Sequence, residues 1–321
     1  MARKTTITKD EFAAILSAYD LGTLRSFRPI AAGTVETNVL LKTERGRCVF
    51  RYYENRNREM ALFETHLIRF LKARHYPCPA VLKDRRGQYV GIFRRKPFAI
   101  FEFAEGRHVA HPSSRQRRQL IEKVAELHKT TRGYRPPYMK YRMNYSVELC
   151  RRLAQRAAKR LGTTTARRKR EWIERELAAL DLPKSLPMGI CHADFHFSNV
   201  LYKHGRFNAL LDFDDANYTY LLFDLWGLVE YAAWHWQDDR VLNTRKARRV
   251  LREYARHRPL NRAERSHFFD VYKLGILFDA IWYFARGSAD DFFEKRKIEY
   301  LNRMGRERFR RKLLGGGKGC T

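Results

Sequence analysis

The stretch His192-Ala193-Asp194-Phe195-His196-Phe197-Ser198-Asn199, followed after a short apolar interval by Asp212-Phe213-Asp214, governs how the rest of the chain reads. Between the two, Asn199-Val200-Leu201-Tyr202 and Ala209-Leu210-Leu211-Asp212-Phe213 have the character of short strands around the turn signal His204-Gly205. Such a hairpin returns Asp212 toward Asn199. Charge sets the same region apart: from Gly189 to Arg240, the carboxylates Asp194, Asp212, Asp214, Asp215, Asp224, Glu230, Asp238 and Asp239 meet only Lys203, Arg206 and Arg240. Like charges held close together raise one another's pKa and oppose folding, so a bound cation is the expected neutraliser. A solvated acidic patch is the alternative, and it would need no such spacing.

Upstream, the pattern is rich in strands. A short helix is expected over residues 10–20, and β-rich runs at 38–43 and 47–53 flank the turn Glu44-Arg45-Gly46-Arg47. Met60, Phe63, Leu67, Phe70 and Leu71 recur at helical spacing within Glu59–Ala73, and Pro77 and Pro79 end that run. Further strands are expected at Tyr89–Phe93 and Phe98–Phe103. After Gly106 the texture changes: Leu120, Ile121, Val124, Leu127 and His128 share one helical face, where His128 reads as a satisfied core histidine. Segments near 146–160, 167–180, 221–236 and 267–286 are also helical in pattern. The expected organisation is a β-rich domain over 1–104, a larger, mainly helical domain over 105–314, and a tail at 315–321 with no packed structure.

With 321 residues, 44% of them hydrophobic and 13% aromatic, the chain has material for sizeable cores, which excludes a disulfide-stapled mini-protein and a disordered chain. The 65 Lys and Arg against 35 Asp and Glu give a net charge of +30 and predict attraction to polyanions, nucleic acid among them. However, the basic runs at Arg115–Arg118, Arg167–Arg170, Arg245–Arg249 and Arg306–Lys312 are spread over helices without interleaved aromatics, as expected of solvated faces. Cys48, Cys78, Cys150, Cys191 and Cys320 are odd in number and lack close pairs, which fits a reducing compartment. No signal-peptide core or spanning apolar run is present, so the expectation is a cytoplasmic protein without membrane insertion. Nothing in the pattern fixes an oligomeric state.

Asp194, Asn199 and Asp212 follow the order of a kinase catalytic loop, H-R-D-x-x-x-x-N and then D-F-G. There the first Asp receives the acceptor's proton, while the Asn and the later Asp hold Mg²⁺. Together with Ala193 and the downstream Phe223-Asp224-Leu225, the segment resembles the aminoglycoside phosphotransferase and choline kinase group of small-molecule kinases. Within that group, Tyr19-Asp20-Leu21-Gly22, Gly33-Thr34-Val35-Glu36-Thr37-Asn38, Pro77-Cys78-Pro79, Glu105-Gly106-Arg107 and Leu127–Gly133 look most like the type II homoserine kinases. The resemblance runs from about Ile15 to about Arg286.

The resemblance implies an α+β, bilobal protein-kinase-like fold with a small β-rich N-terminal lobe and a larger helical lobe, and a reaction that uses ATP and Mg²⁺. Asp194 would be the catalytic base, Asn199 and Asp212 the metal ligands, Asp224 a buried anchor of the loop and His192 a structural residue within it. Gly33, Thr34 and Asn38 belong to a turn over the phosphates, Arg51 to the strand position for a phosphate-binding cation with Glu64 as its partner, and Glu102 and Ala104 to the hinge that meets adenine. The partner is then a small-molecule hydroxyl acceptor, most simply L-homoserine. Its carboxylate would suit Arg142 or Arg107, and its ammonium group Asp215 or Glu230. Tyr218, Trp226, Glu230, Trp234 and Trp236 read mainly as core, with an acceptor pocket as their alternative role.

Three features depart from the pattern. No G-x-G-x-x-G occurs near Gly33, Arg replaces Lys at position 51, and Asp214 stands where protein kinases have Gly, which argues against a protein substrate. Other readings are the same chemistry on an amino sugar, a choline-like alcohol or Ser/Thr; a His192-x-Asp194-x-His196 transition-metal site; and a basic nucleic-acid-binding protein on a degenerate kinase fold.

Overall fold

The computed structural model describes residues 4–31, 35–235, 238–289 and 293–315. In chain order, α1 (Lys9–Leu16) precedes β1 (Leu24–Pro29), β2 (Thr37–Thr43) and β3 (Gly46–Tyr52), then α2 (Arg58–Lys72), β4 (Val81–Leu82), β5 (Gly91–Phe93) and β6 (Lys96–Glu102). Three helices follow, α3 (Ser114–Thr130), α4 (Val147–Leu161) and α5 (Thr164–Ala178). Four short strands come next: β7 (Met188–Cys191), β8 (Val200–Lys203), β9 (Arg206–Leu210) and β10 (Asn217–Tyr220). Then come α6 (Leu222–Ala233), the short strands β11 (Trp234–His235) and β12 (Asp238–Leu242), and α7 (Thr244–His257), α8 (Arg262–Phe284), α9 (Phe293–Met304) and α10 (Arg306–Leu314).

The chain packs as two compact units, and both are discontinuous in sequence. A sheet unit comprises Met1–Pro112, Arg135–Arg142 and Phe197–Asp214; a helical unit comprises Ser113–Tyr134, Met143–His196 and Asp215–Thr321. A single cut after residue 104 therefore does not follow the packing. The hairpin β8–β9 is held to the sheet unit by the bridge Arg107–Tyr202 and by Leu210 N–H on the Pro77 carbonyl at 2.8 Å.

In the sheet unit the strand order is β1-β2-β3-β6-β4, all antiparallel, with β5 pairing β6. The β2–β3 register pairs Thr43 with Gly46 across Glu44-Arg45, and Gly46 adopts φ +127°, a conformation that glycine takes without a Cβ penalty. Side chains alternate along β3. Cys48, Phe50 and Tyr52 are buried in a core with Phe12, Ile15 and Leu16 of α1, and Phe50 stacks on Phe98 at 5.1 Å. Val49 and Arg51 take the opposite face. The helix α2 starts at Asn57, whose side chain accepts from Met60 N–H, and buries Phe63, Glu64, Leu67, Ile68 and Leu71.

In the helical unit α8 is buried almost all round, as expected of a central helix. Gly275 on it makes room for Trp226, because a Cβ there would lie 2.3 Å from the indole. Several boundaries differ from the sequence reading, and the helix expected over 10–20 already ends at Leu16. The run at 221–236 stops as a helix at Ala233 and continues as β11, and β9 ends at Leu210, before a 3-10 turn over Phe213–Asp215. The break after Leu210 has a local cause, since Asp212 takes φ +63°, which no strand residue can. Among the described residues no helix is long and apolar enough to cross a membrane.

Candidate active site

Arg51 is the centre of the polar cluster in the sheet unit. Strand pairing sets it opposite Asn38, and its Nε–H donates to Asn38 Oδ1 at 3.1 Å. Its Nη1 donates to Glu64 Oε1 on α2 at 3.1 Å and to Asp212 Oδ1 at 3.0 Å. Tyr53 completes Glu64 by donating its hydroxyl to Oε2 at 2.8 Å. The two carboxylates differ in access: the Glu64 side chain is 2% exposed and that of Asp212 39%. Burial, opposed by the Arg51 charge, pushes the Glu64 pKa up to about 7. Asp212 is thus the cluster's route to solvent.

Asn199 closes the 3-10 turn Phe197–Asn199 just before β8, and its carbonyl accepts Leu211 N–H at 2.7 Å. The backbones next to the two candidate cation ligands are therefore tied together at the base of the hairpin. Amide and carboxylate oxygens are the hard donors that a divalent magnesium-like ion selects, so this pair fits one. Glu102 and Ala104 line a cavity of about 330 Å³ with Pro77, Cys78, Phe103 and Ala209. Glu102 itself is engaged at the rim, where its carboxylate accepts Ala80 N–H at 3.0 Å. Gly33 and Thr34 lie outside the described residues.

In the helical unit the loop after β7 is built around Asp224 on α6. One carboxylate oxygen accepts His192 N–H at 3.0 Å and the other Ala193 N–H at 2.8 Å. His128 Nε2 lies 2.9 Å from the same carboxylate, and its Nδ1 lies 2.7 Å from the Tyr254 hydroxyl. A carboxylate only accepts, so Nε2 carries the hydrogen. Ala193 is forced to φ +66°, and Asp194 N–H donates to His192 Nδ1 at 3.3 Å. His128, His192 and Asp224 are all buried, whereas Asp194 at the loop's crest is exposed. The arrangement holds a solvent-facing carboxylate on a loop fixed from beneath.

Among the described residues, the group of His, Cys and carboxylate atoms close enough to share an ion is His128, Cys191 and Asp224, not His192, Asp194 and His196. Asp224 in that group already serves two backbone donors and His128. The residues suggested for an acceptor belong to different units. Arg142, in the sheet unit, donates to the Asp214 carbonyl and stacks over Phe63 at 4.9 Å. In the helical unit, Glu230 is bonded by Lys297 and by the Tyr272 hydroxyl, Tyr218 N–H donates to Asn144, and the Asp215 carbonyl accepts from Asn217. Trp226 packs on Phe223 at 4.9 Å, as core. Trp236 lies outside the described residues.

Sequence reasoning did not single out Glu36, Arg56 or the pairing of Asp214. Arg56 forks onto the Asp214 carboxylate with two bonds of 2.9 Å. Glu36 is buried, accepts Glu54 N–H with one oxygen and, among the described residues, has no hydrogen bond on the other. Burial first, then the Asp214 charge, pushes its pKa up to about 7 against the pull of Arg56 and Arg51.

Comparison with known proteins gives a consistent picture. The model of a phosphotransferase enzyme family matches residues 26–260. A homoserine kinase of Rhodospirillum rubrum is 34% identical over 305 residues, covering 94% of this chain and 89% of that one, and a homoserine kinase of a Caulobacter strain is 33% identical over 313 residues with the same coverage. Among solved structures, an amicoumacin kinase in complex with AMP-PNP, Ca²⁺ and Ami superposes with a TM-score of 0.65 at 18% identity, over 92% of this chain and 94% of that one. A microcompartment-associated aminopropanol kinase reaches 0.63 at 16% identity, over 91% and 93%. These likenesses establish a protein-kinase-like α+β fold.

Proposed function

The chain belongs to the phosphotransferase enzyme family, and we propose that within it the protein is a kinase that transfers the γ-phosphate of ATP to the side-chain hydroxyl of L-homoserine. Supporting the acceptor is its 34% identity to a homoserine kinase across 94% of the chain. The observation that carries the chemistry is the guanidinium of Arg51 bonded at once to Glu64 and Asp212. A cation fixed by a buried carboxylate and set beside a solvent-reaching one is what a triphosphate and its metal require.

In this reading Asn199 and Asp212 hold Mg²⁺, which when bound offsets charge on the phosphates. Arg51, steadied by Glu64 and Asn38, binds phosphate oxygen, and the cavity beside Phe103 and Ala104 takes the adenine. Asp194 accepts the proton of the attacking hydroxyl at its carboxylate oxygen and aligns that hydroxyl with the γ-phosphorus. Asp224 and His192 keep the loop beneath Asp194 from shifting. The same reading puts the enzyme in the cytoplasm, where the buried free thiols Cys48, Cys78, Cys150 and Cys191 stay reduced.

An ADP-release assay over L-homoserine, an amino sugar, choline and L-serine tests the acceptor, and turnover confined to a compound other than homoserine would overturn it. Asp194→Ala should cut kcat by about 10³-fold or more while AMP-PNP binding stays intact. Turnover retained in that variant would remove Asp194 from its role.

A further inference from the structure

Arg56 is a guanidinium of the sheet unit to which phosphoryl transfer assigns no task. It sits in the loop Tyr53–Asn57, between the strand that carries Arg51 and the helix that carries Glu64. Both of its bonds to Asp214 are 2.9 Å in a parallel fork, and the two side chains are 13% and 10% exposed, so the pair is nearly dry. A bidentate pair of this kind fixes direction as well as distance.

Asp214 lies two residues beyond Asp212, across a turn that is held at every position. Leu211 N–H is bonded to the Asn199 carbonyl, Phe213 is 1% exposed, and the Asp214 carbonyl accepts from Arg142. Asp212 itself adopts φ +63°, which persists in a residue with a Cβ only where the surroundings over-determine it. Of these anchors, the Arg56 fork alone ties the turn to the loop between Arg51 and Glu64.

We propose that Arg56 is a positioning residue: by clamping Asp214 it holds the Asp212–Asp214 turn in the one register that presents the Asp212 carboxylate to a nucleotide-bound divalent cation. The assignment rests on Asp212 being a cation ligand. A plain structural ion pair would contribute stability and nothing else; a clamp also sets cation affinity without touching the acceptor.

Two measurements separate these roles: Mn²⁺ binding in the presence of AMP-PNP, read by the paramagnetic resonance of free Mn²⁺, and the Mg²⁺ concentration at half-maximal turnover. In Arg56→Ala the Mn²⁺ dissociation constant and that Mg²⁺ concentration should each rise by about tenfold or more, the usual cost of losing support behind a metal ligand. The KM for the acceptor at saturating metal should move by less than about twofold. Arg56→Lys, which keeps the charge but not the fork, should fall between, and it carries the test if the alanine variant does not fold. Combining Arg56→Ala with Asp214→Asn should cost no more than the worse single change, since both break one interaction. Unchanged Mn²⁺ affinity in folded Arg56 variants overturns the proposal, as does a rise in acceptor KM with metal dependence intact. Because Mn²⁺ binding needs no acceptor, it tests Arg56 even if homoserine proves not to be the substrate.

Discussion

Two carboxylate networks, one in each compact unit, solve opposite problems with different partners. Around Asp224 the acid is dry, and its partners are two backbone N–H groups and an imidazole that is itself seated on Tyr254. Nothing in that set can leave without unfolding the loop. Around Arg51 the partners are long side chains, and one acid, Asp212, keeps more than a third of its surface in water. The first network suits a fixed support; the second can exchange a neighbour for a ligand.

The largest test of this contrast is Asp224→Ala. It leaves the donors of His192, Ala193 and His128, the two histidines among them buried, without that acceptor, and the expected loss is on the order of 3–5 kcal/mol in urea denaturation. A loss below about 1 kcal/mol would mean that the loop does not depend on that carboxylate.

Next comes Glu36→Gln, in the guanidinium-rich network. The folded protein holds a proton on Glu36 up to about pH 7, whereas the unfolded chain releases it near 4.5. The native state therefore binds more protons between those values, and this group's contribution to stability, complete at low pH, falls as pH rises through 7. Replacing it with an uncharged amide should stabilise the protein by about 2 kcal/mol at pH 8 and change little at pH 4. Equal effects at both values, read from the urea midpoint, would remove Glu36 as a source of strain.

The smallest effect is expected at the surface. Arg151 and Glu174, 2.8 Å apart but 45% and 51% exposed, serve as a reference outside both networks. Arg151→Ala should shift the same midpoint by less than about 0.5 kcal/mol, because solvent screens the pair. A larger shift would show that exposed pairs in this basic chain cannot be treated as background.

What the sequence revealed follows from how local each signal is. The β2–β3 turn and α2 were legible because Gly46 and the spacing of Met60, Phe63 and Leu67 act within a few residues. Strand-rich and helix-rich stretches were legible from their pattern, and the resemblance to the small-molecule kinases supplied the fold class. The segment Asp194–Asn199 carried its meaning in six residues, and Asp212 in the length of one hairpin. Arg56 and Arg142 gave no such signal, since the residue each one meets, Asp214, lies 158 and 72 positions away. One arginine in a loop of so basic a chain looks like any other. Glu230 and Arg142 show the same limit, because the sequence displays their charge but not the partners each has in the fold. The helix read through to residue 236 ended early because Trp234 turns to extended backbone, with φ −84° and ψ +142°.

The discontinuity of the sheet unit also bears on how the protein is made. A nascent chain released at Pro112 has its sheet and α2, yet Arg51 and Arg56 still lack the carboxylates of Asp212 and Asp214. Glu64 is by then present to pair Arg51, but roughly another hundred residues must leave the ribosome before Arg56 meets its acid and Arg51 its second one. Synthesis of this unit therefore passes through a long interval in which the Arg56 guanidinium is without Asp214, a window that a polyanion or chaperone could occupy before the chain supplies that acid.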